Sequence, residues 1–238
     1  MSVQIGREYW VILNDYDAII EALVKQGEKF SGRPGNFVFE LIKNNHGIIT
    51  IDYGLTWKAS HKFGLRTLRG FGAGKEGMEE NVVEETYFLI ENLTMANDYS
   101  IQMKLTFTTL NIISRLVLGS RFEYDDKKLL HMIEIIQKFN EDSNHAHLLA
   151  VLTLEPILRF FPPFRNVVKI TSDDTERFRE YLRGFVEEHE SNFDEHNIRD
   201  FVDAFLLKIK KSPEDDPAFN VSCFLALYHI FRGVNFRF

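Results

Sequence analysis

Trp57-Lys58-Ala59-Ser60-His61-Lys62-Phe63, continued by Gly64-Leu65-Arg66-Thr67-Leu68-Arg69, is the most informative segment of this chain. A helical period sets Trp57 and His61 one turn apart on one face. Lys58, Lys62, Arg66 and Arg69 make the same segment strongly basic, although the whole chain has a formal net charge of -7. Local cationic character of this kind implies an anion close to the helix.

Away from this helix the periodicity stays helical. Residues 17–29 carry Ile19, Ile20, Leu23 and Val24 at helical spacing, with an end near Gly27. Met78, Val82, Leu89 and Leu93 form one stripe, with Glu79, Glu80, Glu84 and Glu85 expected to face water. Leu105, Thr109, Ile112 and Leu116 form the next, closed by Gly119, the residue type favoured just past a helix C-terminus. Leu130, Ile133, Ile136 and Phe139 suggest a fourth stripe. Beyond Pro156 and Pro162-Pro163, residues 173–189 make a long helix with Phe178, Leu182 and Phe185 inward. Phe201, Phe205 and Ile209 mark a shorter one before the turn-rich Ser212-Pro213-Glu214-Asp215-Asp216-Pro217. Tyr9-Trp10-Val11-Ile12-Leu13 reads as a short strand, residues 47–51 as extended chain, and Thr56 as the N-cap of the basic helix. The expected fold class is mostly α with a small β component.

The 238 residues are 45% hydrophobic and 26% charged, enough to bury a core and too apolar for a disordered chain. The acidic balance argues against a nucleic-acid partner. No apolar run reaches the roughly 18 residues of a spanning helix, and the first residues lack the apolar centre of a signal peptide. Taken alone, the chain reads as cytoplasmic. Its single cysteine, Cys223, excludes an intrachain disulfide and a multi-cysteine zinc site.

Several segments are familiar in their order. Phe30-Ser31-Gly32-Arg33-Pro34 precedes the Trp57 helix, and Gly70-Phe71-Gly72-Ala73-Gly74-Lys75 follows it. Leu118-Gly119-Ser120-Arg121-Phe122-Glu123-Tyr124-Asp125 comes next, and Arg199-Asp200-Phe201-Val202-Asp203-Ala204-Phe205-Leu206 much later. Together these resemble the cytochrome P450 monooxygenases, in particular the microsomal family 2 type, from about Trp10 to about Ile209. The resemblance implies a partial P450 fold, from the early helices to the start of the central helix. Residues 1–217 form the partial domain, and 218–238 a divergent start of the central helix or a read-through tail.

What the family implies for chemistry is a haem cofactor, molecular oxygen and a lipophilic small-molecule substrate. It also implies electrons from NADPH-cytochrome P450 reductase, at the endoplasmic reticulum membrane through segments absent from this sequence. Haem propionates need cationic and N–H donors, and the resemblance assigns that role to Arg33, Trp57 and His61. His61 stands where the family motif has arginine; an imidazole is mostly uncharged at neutral pH, so a full charge-assisted pair is lost. Lys58, Lys62 and Arg66 match positions suited to docking an acidic redox partner. The substrate region covers residues 37–51 and 145–157, with Ile49, Thr50, Ile51 and Leu148 as contacts.

The family's iron ligand is a cysteine in a glycine-rich loop preceded by phenylalanine. Cys223 lies in Asn220-Val221-Ser222-Cys223-Phe224-Leu225, which has no such loop. No catalytic residue or metal ligand is therefore assigned, and the chain is expected to be inactive alone. The alternative is a non-enzymatic helical remnant that binds a partner. Gly72-Ala73-Gly74-Lys75-Glu76-Gly77 fits the dinucleotide fingerprint but follows a basic helix rather than a strand, which argues against that site.

Overall fold

The computed structural model describes residues 1–5, 8–33, 48, 51–74, 76–94, 100–142, 151 and 156–220. It is mostly helical with one two-stranded sheet, as the sequence leads one to expect. Strand β1 (Ser2–Ile5) pairs antiparallel with β2 (Glu8–Val11), Val3 facing Trp10. The expected strand is thus shorter than read, and its partner is the first stretch of the chain. A short helix α1 (Tyr16–Ile19) follows, capped by the Asp15 side chain, which accepts from the Ala18 N–H. It continues as a π-helical turn (Ile20–Lys25) and a 3-10 turn (Gly27–Phe30), so the predicted helix over 17–29 is broken into three hydrogen-bonding patterns.

The principal helices are α2 (Leu55–Gly70), α3 (Glu76–Thr94), α4 (Ile101–Leu118), α5 (Lys127–Asp142), α6 (Phe164–Ser191) and α7 (Phe201–Lys211). The core lies between α4, α5, α6 and α7, where Phe107, Leu110, Leu129, Met132 and Val202 are fully buried. Each such side chain contributes roughly 1.5–3 kcal/mol on leaving water. Helix α2 joins this core through Phe63, whose ring meets Phe201, Phe205 and Phe219 edge-on at centroid distances of 6.0, 5.6 and 5.4 Å. Ala218 and Phe219 are buried as well, so the core continues past Pro217. Among the described residues no helix is long and apolar enough to cross a membrane.

Two expectations about faces are corrected. Helix α4 ends at a left-handed Gly119 (φ 67°), as predicted, but Leu105, Thr109, Ile112 and Leu116 are only half-buried. The core face carries Phe107, Leu110, Asn111, Ser114 and Val117, because polar residues enter the stripe and disguise it. In α3 the inversion is larger. Glu85, assigned to water, is completely buried, whereas Val82 and Leu93 of the supposed core stripe are exposed.

A carboxylate can be buried only if its oxygens are satisfied. Glu85 Oε1 accepts from Asn111 Nδ2 and from the Tyr124 hydroxyl, both at 3.0 Å, and Oε2 accepts from Arg121 Nε at 3.2 Å. Asn111 is itself held to the backbone of Phe122, donating to its carbonyl at 2.8 Å and accepting from its N–H at 2.9 Å. Burial, with the Glu85 charge beside it, pushes the Tyr124 phenol up to about 12, although the Thr108 hydroxyl offsets part of the rise. The phenol therefore remains a donor across the working range of pH. Arg121 also lies over the Phe88 ring at 3.8 Å, so the α3 carboxylate, α4 and the turn after α4 form one connected unit. Glu85→Ala strands three donors in the interior and is expected to cost roughly 3–5 kcal/mol, and Glu85→Gln clearly less; urea unfolding of both variants measures the difference.

Candidate functional site

Helix α2 begins two residues ahead of Trp57, with Gly54 in extended conformation as its N-cap and no side-chain cap bond. Thr56 is therefore inside the first turn and is not the cap that the sequence suggested. Trp57, His61 and Gly64 fall at i, i+4 and i+7 and so share a face. The Trp57 and His61 rings stack, with centroids 4.4 Å apart and planes 14° from parallel, as the helical reading implied. The Tyr53 ring tilts against Trp57 at 5.3 Å.

The indole N–H of Trp57 donates to the Ile48 carbonyl at 2.9 Å. Ile48 also lies over Gly64, where an added Cβ would meet its Cδ1 at 3.8 Å. The Tyr53 hydroxyl donates to Glu28 Oε1 at 2.7 Å, and Lys58 Nζ lies 3.4 Å from the same oxygen and 4.7 Å from the Tyr53 ring centre. The Tyr53 hydrogen bond first, and then Lys58, hold the Glu28 carboxyl below its ordinary range. Arg33 follows the 3-10 turn. Its backbone N–H donates to Asp52 Oδ1 at 2.7 Å, and its Nη1 donates to the Ser31 and Gly32 carbonyls at 3.1 and 3.4 Å.

Lys62 and Arg66 point outward from α2 and are exposed, with no ion pair among the described residues. Lys58 differs from them in being tied to Glu28. Ile51 is half-buried in a bend ahead of α2, whereas Ile49, Thr50 and Leu148 lie outside the described residues, as does Cys223.

A second constellation was not read as a site from sequence. His189, near the end of α6, sits with Asp200 and Asp203 at the start of α7, their ligand-type atoms within 4.8 Å of one another. Asp200 caps α7, its Oδ1 accepting from the Asp203 N–H at 2.9 Å and its Oδ2 lying 2.9 Å from His189 Nε2. Asp203 accepts from Arg199 Nε at 2.6 Å and Nη2 at 2.8 Å, and from the Arg199 backbone N–H at 3.1 Å. Burial pushes the Asp203 carboxyl up, but these Arg199 bonds outweigh it and hold it below its ordinary value. Both carboxylates are thus committed to a helix-end clasp, a variant of the capping box in which the third helical residue reaches back to the entering chain. The Arg199-Asp200-Phe201-Val202-Asp203 motif owes its charged residues to this cap. Gly119 completes the clasp, for a Cβ there would stand 3.1 Å from Asp200 Cβ.

A cavity of about 310 Å³ opens between α5 and α6, lined by Lys128, Glu180, Tyr181, Gly184, Phe185 and Glu188. Of these, Lys128 lies 5.5 Å from the Phe185 ring centre and bonds Glu188 at 2.8 Å.

The Cytochrome P450 family model matches residues 1–223, and the chain belongs to the cytochrome P450 family. Among its relatives it is 35% identical over 217 residues to Cytochrome P450 2H1 of Gallus gallus, covering 90% of this chain and 43% of that protein. It is 32% identical over 212 residues to Cytochrome P450 2C55 of Mus musculus, covering 88% and 42%. Cytochrome P450 2C8 of Homo sapiens is 34% identical over 226 residues, covering 92% and 45%. The chain therefore spans less than half the length of these relatives, whose family 2 designation agrees with the resemblance read from its motifs.

Haem is the cofactor of this family, and the α2 edge does not fit its propionates as it stands. Trp57 has one N–H and it is already given to Ile48; Arg33 is folded onto its own loop; and a stacked imidazole stands where a guanidinium would project.

The His189 clasp makes a pH prediction. Nδ1 faces the Phe185 carbonyl at 2.7 Å while Nε2 faces Asp200, so two acceptors ask for two ring donors. The Asp200 hydrogen bond, against some loss from burial, raises the imidazole above its ordinary 6.5. The stabilisation is fully present below 6.5 and is lost as pH rises through the higher native value. Thermal melts of the wild type are expected to fall across that interval, and His189→Gln to flatten the dependence.

Proposed function

We propose that this chain is the amino-terminal helical portion of a haem-thiolate monooxygenase that acts on lipophilic organic molecules, and that it has no monooxygenase activity by itself. The observation that carries this reading is the family match over residues 1–223, combined with relatives more than twice as long. Its single cysteine lacks the glycine-rich loop in which the family binds iron. When bound, haem supplies the oxygen-activating chemistry, and the protein contributes binding, orientation and tuning. Within that division of labour this chain supplies helices, and its α2 edge as it stands leaves the propionates without the Trp57 donor.

For the parental enzyme, Lys62 and Arg66 extend a basic surface toward an acidic redox partner such as NADPH-cytochrome P450 reductase, at the endoplasmic reticulum membrane. Lys58 contributes less, because Glu28 already neutralises it in part.

One observation favours the second reading, a non-enzymatic helical protein that binds a partner. Val83, Tyr87 and Ile90 form a bare apolar stripe on α3, with Tyr87 69% exposed, and Tyr9 and Val11 of the hairpin are equally bare. Faces of this kind favour association. Purified chain given haem, reduced and exposed to carbon monoxide is expected to show no thiolate-type Soret band; a stoichiometric band would overturn the inactive reading. Sequencing the transcript past the Phe238 codon separates the two. An in-frame Phe-x-x-Gly-x-x-x-Cys-x-Gly supports the monooxygenase portion, and a stop codon supports the remnant.

A further inference from the structure

The poor fit of the α2 edge to haem has a positive counterpart. The face formed by Trp57, His61 and Gly64 is already covered by the chain itself, at two points belonging to one residue. The Ile48 carbonyl takes the indole N–H, and the Ile48 side chain rests on the hydrogen-only surface of Gly64. Gly64 is the one buried residue of α2, in keeping with the Ile48 side chain lying over it. His61 fits the arrangement because its flat ring stacks on Trp57 while the indole N–H remains bonded to Ile48. Tyr53 also packs against Trp57 and is held by Glu28.

We infer that in this chain the Trp57–His61–Gly64 face is a seat for its own Ile48, which takes the donor a haem propionate would need. The inference rests on the P450 reading, since only that family makes a propionate the expected occupant. It goes further by assigning the His61 substitution a structural use. A carbonyl oxygen supplies the acceptor that the helix was expected to find in a cofactor, without charge and without a metal.

The test uses the complete 238-residue chain carrying Trp10→Phe, so that Trp57 gives the single indole N–H resonance. Hydrogen exchange at that N–H is expected to be slowed roughly tenfold relative to free indole, the scale of one intramolecular hydrogen bond. Gly64→Val lifts Ile48 from the helix and is expected to return exchange to the free rate. Ile48→Ala, a milder change that keeps the fold if the valine variant does not, is expected to lose part of the protection. One equivalent of ferric protoporphyrin IX is expected to leave the Trp57 resonance of this Trp10→Phe chain in place. An unprotected indole, or a shift of that resonance saturating at one equivalent, would overturn the seat. A thiolate-type band with carbon monoxide would instead overturn the inactive-portion reading, and the indole measurement would still decide this one.

Discussion

A single buried carboxylate sets the geometry of the front of this molecule. Glu85 is the one residue that α3 buries completely, and its oxygens are satisfied by three donors from α4 and the turn beyond. Apolar contact tolerates sliding, but this contact does not. Moving α3 by one turn would bring Asn81 or Leu89 opposite Asn111 and leave the carboxylate without partners. Arg115 reinforces the register by bonding Asn81 at 2.9 Å and Glu84 at 2.6 Å. Helix α3 is thus attached by charge and hydrogen bonding, which explains how it keeps its place with apolar side chains facing outward.

The other helices are attached in different ways. Helices α4, α5, α6 and α7 share a conventional apolar interior, and α2 enters it through Phe63 and the ring cluster around Phe205. The opposite side of α2 is covered by Ile48 and braced by Tyr53. One helix therefore links the core to Ile48 and Tyr53, and its basic residues Lys62 and Arg66 occupy the arc left over. Surface charge on α2 is what remains after two packing demands have been met.

Sequence patterning revealed the helices, the Gly119 stop, the inward Phe178, Leu182 and Phe185, and the Trp57–His61 adjacency, because each depends on local spacing. Family motifs supplied the fold. Patterning failed where polar residues go inward. Glu85, Asn111 and Thr108 look solvent-facing until their partners are known, and those partners lie in another helix or a turn. The start of α6 was also hidden: Phe164–Ser172 follows two prolines and has weak periodicity, so the long helix begins earlier than predicted. Nothing in local spacing could show that Ile48 would take the Trp57 N–H, since that bond is made by a backbone carbonyl and leaves no trace in residue type.

The contact between Gly119 and Asp200 bears on the order in which the chain assembles. The Glu85 unit draws all its members from α3, α4 and residues 121–124, so it is complete in composition as soon as Tyr124 has left the ribosome. The end of α4, however, fits against a carboxylate that arrives only with α7, after the whole of α5 and α6. Synthesis therefore separates two events that the finished fold joins. The α3–α4 pair can settle early by polar contacts, and its C-terminus then waits for Asp200 to close the core over it.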